Sequence, residues 1–142
     1  MIGLRQFREY LESVVARVDA LHAAEPLAVE ANMADRVAKF KEEETPVLFF
    51  LPPSADGEGD ADSFRETSLC VVFVMAKYLP RVKTSFEVLE ETQPVAEEVK
   101  KLLVRDSAAP CHFLKLEHNT VSTLPETEFF GNWAGWSIAF KA

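Results

Sequence analysis

The sequence predicts an α+β fold: a four-stranded, mostly antiparallel sheet packed against two to three helices, in the order α-(α)-β-β-α-β-β. Three observations carry this expectation. Apolar residues recur at steps of three and four in the opening segment and again after Thr84, the spacing of an amphipathic helix. Short runs rich in β-branched and aromatic residues, bounded by proline and glycine, separate and follow those segments. A length of 142 residues with 48% hydrophobic content and 11 phenylalanines suffices for one buried core, so residues 1–142 read as a single domain.

The first helix is expected over LRQFREYLESVVARVDALH, where Leu4, Phe7, Leu11, Val14, Val18 and Leu21 form one stripe and most charges fall off it. Pro26 ends it. A weaker stripe of Met33, Arg36, Val37 and Phe40 predicts a second, shorter helix from Glu30 to Glu43, with a solvated KEEE tail. Val47 to Leu51, an apolar run between prolines, is too short for a helix and reads as a strand. Arg65 to Tyr78 reads as a long strand with apolar residues at both parities: Leu69, Val71, Phe73 and Met75 on one face, Cys70, Val72, Val74 and Ala76 on the other. Thr84, Ser85 and Glu87 open a helix, Thr84 and Glu87 at the spacing of a capping box, and a stripe of Val88, Val95, Val99, Leu102 and Leu103 carries it to Arg105, with a kink or a join between two helices expected at Pro94. The chain then predicts a strand in PCHFLKLEH from Pro110, a loop containing Asn119 and Pro125, and a final strand in NWAGWSIAFKA.

A formal net charge of −8 argues against direct nucleic-acid readout, which depends on clustered Lys and Arg. The N-terminus lacks the apolar core of a secretory signal, and the longest apolar run falls far short of the ~20 residues that span a bilayer. A cytoplasmic protein without membrane contact is expected. Its two cysteines, Cys70 and Cys111, are expected to be reduced and buried.

No stretch carries a catalytic or cofactor signature. In SADGEGDADSF, Asp56, Glu58, Asp60 and Asp62 alternate with small residues and resemble the start of a calcium loop. The turn glycine and the closing glutamate of such a loop are replaced by Ala61 and Thr67, so the stretch reads as a solvated or partner-facing hairpin tip. GWSIA resembles a degraded nucleophile elbow, but too few residues follow Ser137 to supply the helix and histidine that chemistry needs. His112 and His118 on one predicted strand lie ~20 Å apart, too far to share a zinc ion. Catalytic, cofactor and metal sites are therefore all expected to be absent.

Surface logic supplies the rest. A strand apolar on both faces needs cover on both, from the short second helix or from another subunit. The acidic tip lies at one end of it and Lys77, Arg81 and Lys83 at the other, roughly 40 Å away by strand rise. Patches so far apart can hardly pair within one chain; they read either as two unrelated solvated loops, since exposed charges contribute little individually, or as patches that pair between neighbours, and head-to-tail contacts of that kind make rings. Trp133 and Trp136 are candidate interface anchors, with core packing the competing role for Trp136. The candidate interaction surface is thus Asp56, Glu58, Asp60, Asp62, Lys77, Arg81, Lys83 and Trp133, in a homo-oligomer.

The order of elements, the PVLFFLPP strand, the helix ending in KKLLVRD and the terminal strand NWAGWSIAFKA together resemble the tail terminator and neck (head-tail joining) proteins of tailed phages and prophages. That resemblance implies an α+β sheet packed on helices and a ring of subunits that caps the tail tube or joins it to the head, in the virion, with other tail or neck proteins as partners. It implies no catalysis and no cofactor, and an acidic surface suits a channel through which DNA slides. The competing expectation is a bacterial cytoplasmic module that binds a protein or a small apolar ligand.

Overall fold

The computed structural model describes residues 1–27 and 33–142. Among them, helix α1 spans Leu4–Arg17, strand β1 Ala24–Pro26, helix α2 Met33–Ala38 and β2 Val47–Phe50. Then come a small hairpin of β3 (Asp56–Glu58) and β4 (Arg65–Thr67), β5 (Leu69–Lys77), the long helix α3 (Ser85–Ser107), β6 (Ser122–Phe129) and β7 (Trp133–Lys141). The main sheet has five strands in the order β1-β2-β5-β7-β6, antiparallel throughout except for the β1–β2 pair; β3 and β4 form a separate two-stranded sheet. The mixed α+β class and the antiparallel bias agree with expectation, while the strand count and their placement differ.

Helices α1 and α3 cover one face of the sheet, here called the inner face. Phe7, Tyr10, Leu11 and Val14 of α1 and Val95, Ala96, Val99 and Leu103 of α3 close over Leu48, Phe50, Cys70, Val72, Val74, Ile138 and Phe140. The α1 stripe is nearly as expected, but its first member, Leu4, is exposed and Tyr10 joins the buried set. The helix stops at Arg17; Val18 is extended, yet Val18 and Leu21 stay buried as the chain runs toward β1. Tyr10 donates a 2.7 Å hydrogen bond to Asp106, and Arg17 grips the same carboxylate at 2.6 and 3.2 Å, fastening α1 to the end of α3.

Thr84 caps α3, accepting a hydrogen bond from the Glu87 amide at 3.2 Å; this is one half of the predicted capping box, and the Glu87 carboxylate accepts instead from the Thr84 hydroxyl at 3.3 Å. Pro94 does not divide the helix. It faces solvent, where the carbonyl it leaves unpaired can turn to water, and α3 continues as one element.

The largest departure lies after α3. The predicted strand from Pro110 to His118 is not one, and the predicted loop around Pro125 is strand β6. Leu114 and Leu116 are buried alternately, as in a strand, but both edges of β7 are occupied by β5 and β6, so the segment has no ladder to join. Pro125 fits β6 because β6 is an edge strand, where a missing N–H breaks no ladder. The long predicted strand is likewise divided at Ser68, which exchanges backbone hydrogen bonds with Ala142 at 2.8 and 2.9 Å and lets β4 turn away into the hairpin. At Gly135 the β7 backbone runs so close to β5 that a Cβ would lie 2.9 Å from the Met75 Cα and collide with the Val74 carbonyl oxygen. Part of the expected second helix, Glu30 to Asn32, lies outside the described residues; the remainder is α2 and a separate 3-10 turn at Glu42–Glu44.

Candidate interaction surface

The outer face of the sheet is divided in two. At one end Met33 and Val37 of α2 pack on Val47, Phe49, Met75 and Trp133, with the Phe40 ring edge-on to Phe49 and Trp133 at 6.4 and 6.0 Å. Trp133 is 1% exposed, so it is a core residue and not an interface anchor. Trp136 is on the inner face, its indole N–H donating to the Leu89 carbonyl of α3 at 3.0 Å. The Trp133, Phe40 and Phe49 rings pack edge to face beside the six-residue helix and add large apolar surfaces to the cover of this half.

At the other end no described element covers the outer face. Register places Leu69, Val71 and Phe73 of β5 beside Lys141, Ala139 and Ser137 of β7, and Ser137 beside Leu124 of β6. Leu51, whose amide bonds the Val71 carbonyl, continues the patch on the β2 side. Leu51, Leu69 and Leu124 are 37, 45 and 57% exposed. The expectation that both faces of the central strand are covered thus holds for the inner face and for half of the outer one. Ser137 of the GWSIA stretch is a strand residue whose hydroxyl donates to the Glu126 carboxylate at 3.0 Å.

The acidic stretch is the β3–β4 hairpin, an arm that leaves the body beside this patch. Glu58 pairs with Arg65 and Asp56 with Thr67 in its ladder. Its tip is organised by Asp60, whose Oδ1 accepts from the Asp62 amide (3.1 Å), the Ser63 amide (3.1 Å) and the Ser63 hydroxyl (2.9 Å). These bonds, that from the Ser63 side chain first, hold the Asp60 carboxyl below the usual range. Gly59 is at φ +97°, where a side chain would be strained, and the Phe64 ring lies over Gly57 so closely that a Cβ there would come within 2.6 Å. The carboxylates thus serve a turn and a wet surface, and among the described residues no group of three or more His, Cys, Asp or Glu is placed to hold a metal ion.

The three cations at the far end of β5 do not form a free basic patch. The Lys77 ammonium donates to the Ala38 and Phe40 carbonyls at 3.2 and 2.9 Å, latching the end of α2 to the sheet. Lys83 pairs with Glu91 at 2.7 Å. Arg81 is exposed and makes no ion pair among the described residues. Two of the three charges reserved for a neighbour are therefore satisfied within the chain, which removes the basis for pairing the acidic tip with this end. Beside them, beneath the loop carrying Leu79 and Val82, lies a cleft of about 340 Å³ floored by Ala76, Val88, Thr92 and Val95. The hydroxyl of Thr92 is spent on the Val88 carbonyl at 2.8 Å.

Cys70 is buried on the inner face, and burial pushes its thiol up to about 12. Cys111, expected to be buried, is exposed, because its segment is a surface turn and not a strand. His112 packs on Tyr10 at 4.8 Å and His118 lies in an exposed 3-10 turn. Sequence reasoning missed Leu51, Leu124 and Phe64. The alternation of STLPETEF placed Leu124 on one face of a strand, and Pro125 obscured it. Among the described residues no helix is long and apolar enough to cross a membrane. No protein-family model matches the chain, and no curated protein matches it in sequence.

Proposed function

We propose that this protein is a non-enzymatic assembly component that works by associating with copies of itself, as its likeness to phage tail terminator and neck proteins implies. One observation carries the reading: the outer sheet face is covered by α2 at one end and by no described element at the other, where Leu51, Leu69 and Leu124 stand exposed around half-buried Val71 and Ala139. An apolar surface of this kind, rimmed by polar residues such as Lys141 and Ser122, is characteristic of interaction sites. The two long helices on one face of a mostly antiparallel sheet and the projecting arm are compatible with a subunit that repeats around a ring. In that role other tail or neck proteins are its further partners, the cytoplasm is its place before assembly, and neither cofactor nor nucleic-acid readout is required.

Light scattering on the wild type and on Leu69→Glu/Leu124→Glu tests the reading. Both positions are exposed, so the variant keeps its circular dichroism while its mass falls to that of one chain. A variant that associates as the wild type does would refute the role of this face.

A second reading, binding of a small apolar ligand, is favoured by the cleft beneath Leu79 and Val82, whose size is within the range of ligand sites, about 300–1,000 Å³. Displacement of a bound hydrophobic dye by fatty acids or indoles, abolished by Val88→Trp, would support it; a wild type that takes up no dye would oppose it.

A further inference from the structure

The cleft of about 340 Å³ beneath Leu79 and Val82 is lined by four charged residues, Glu42, Lys77, Lys83 and Glu91. Three of them are engaged. Lys83 and Glu91 neutralise each other at 2.7 Å. Lys77 has the parity of Phe73 and Met75 on β5, so its side chain leaves on the outer face, where the ammonium donates to the Ala38 and Phe40 carbonyls. Glu42 is the remaining charge: it is half-buried, and its carboxylate makes no ion pair and no hydrogen bond among the described residues. Its backbone is fixed at the cleft by the Thr45 hydroxyl, which donates to the Glu42 carbonyl at 2.7 Å. Tyr78 lines the same cleft, half-buried, with a hydroxyl that bonds no described group.

We propose that this cleft binds a small organic ammonium, an alkyl or aryl amine whose cation meets the Glu42 carboxylate and the Tyr78 ring while its hydrocarbon body lies on Val88 and Val95. The inference rests on the small-ligand reading above and names the ligand class. An ammonium gives Glu42 the charged partner it lacks, in a hydrogen bond stronger than a neutral donor would make. A tyrosine face attracts the same cation. An anionic ligand of equal shape finds the opposite: both lysines are already engaged, so its charge faces Glu42 with nothing to offset the repulsion, and selectivity comes as much from that rejection as from attraction. The buried floor of Val88 and Val95 supplies the apolar part of the contact, which all three charge classes of ligand share.

Displacement of Nile red, an uncharged dye, by three ligands of similar shape tests this near pH 7: phenethylamine, 2-phenylethanol and 3-phenylpropionate. The amine should displace the dye at a concentration at least about fivefold below the alcohol, and the acid should need more than either. Glu42→Gln keeps the shape of a side chain that makes no hydrogen bond, so it should take up dye as the wild type does while amine and alcohol come within about twofold of one another. Lys83→Met/Glu91→Gln removes the engaged pair and should leave the amine preference in place, which separates Glu42 from the other acid of the cleft. Equal displacement by the three ligands, or a preference that survives both Glu42→Gln and Glu42→Ala, would overturn the ammonium assignment while leaving an apolar-ligand site standing. A wild type that takes up no dye, and gives no heat with any of the three ligands in calorimetric titration, would overturn both.

Discussion

Replacing Lys77 by Met should release α2 from the outer face. The side chain keeps its unbranched apolar stem, one atom shorter, and loses the two hydrogen bonds to the Ala38 and Phe40 carbonyls. A hydrogen bond from a charged donor contributes about 1.5–3 kcal/mol when its partner has no substitute, and the partial exposure of Lys77 reduces this, so the latch as a whole is set at about 2 kcal/mol. Helix α2 has six residues, too few to persist alone, and depends on the seating of Met33 and Val37 and on this latch. A loss of 2 kcal/mol raises the open population roughly thirtyfold. Opening uncovers Trp133, so acrylamide quenching in a Trp136→Phe background should rise, and Tm should fall by ~6 °C for a chain of this length. Unchanged quenching together with a Tm within about a degree of wild type would refute the assignment of Lys77 as the latch.

Three further outcomes are expected. Asp106→Asn should destabilise by about 2–3 kcal/mol, since it weakens the bonds from both Tyr10 and Arg17. The Arg17 guanidinium, with Tyr10 behind it, holds the Asp106 carboxyl below its ordinary range, so its contribution is present above the unfolded carboxylate value, ~3.9, and is lost as pH falls through the folded value; the gap between wild type and variant should narrow on acidification in denaturant titrations. A gap that stays constant down to about pH 2 would contradict this. Thiol titration near pH 8 should find one fast group, Cys111, with Cys70 reacting only on unfolding, whereas two fast thiols would contradict the burial of Cys70. Gly135→Ala should cost about 3 kcal/mol through its collision with the Val74 carbonyl, and an equilibrium unfolding midpoint equal to wild type would contradict the close approach of β5 and β7.

Much of the core was legible in periodicity. Phe7, Leu11 and Val14 and the α3 stripe were read correctly, because a helix that buries one face must repeat it every three to four residues. Thr84 was legible as a cap for a similarly local reason. Positions decided by long-range pairing were not. Leu114 and Leu116 alternate as a strand does, but whether a ladder is available depends on β6 having already taken the edge of β7. Pro125 read as a break because the sequence does not reveal that its strand lies at an edge. The charges failed in the same way: Lys77 and Lys83 look free in sequence, and each finds a partner only when Phe40 and Glu91 are brought beside it. Trp133 was read as an anchor because its parity alone gives no sign that α2 lies above it. The open half of the outer face was foreseen only in outline, from the two apolar parities of β5, and its boundary follows from how little of the sheet six helical residues can cover.

The central claim is that the open apolar half of the outer sheet face brings copies of this chain together. Sedimentation equilibrium of the wild type over a roughly hundredfold concentration range measures that directly. The account predicts a mass that climbs above the 15.9 kDa of one chain to a defined multiple of it. A mass that stays at one chain throughout, with Leu69 and Leu124 left in water, would contradict it.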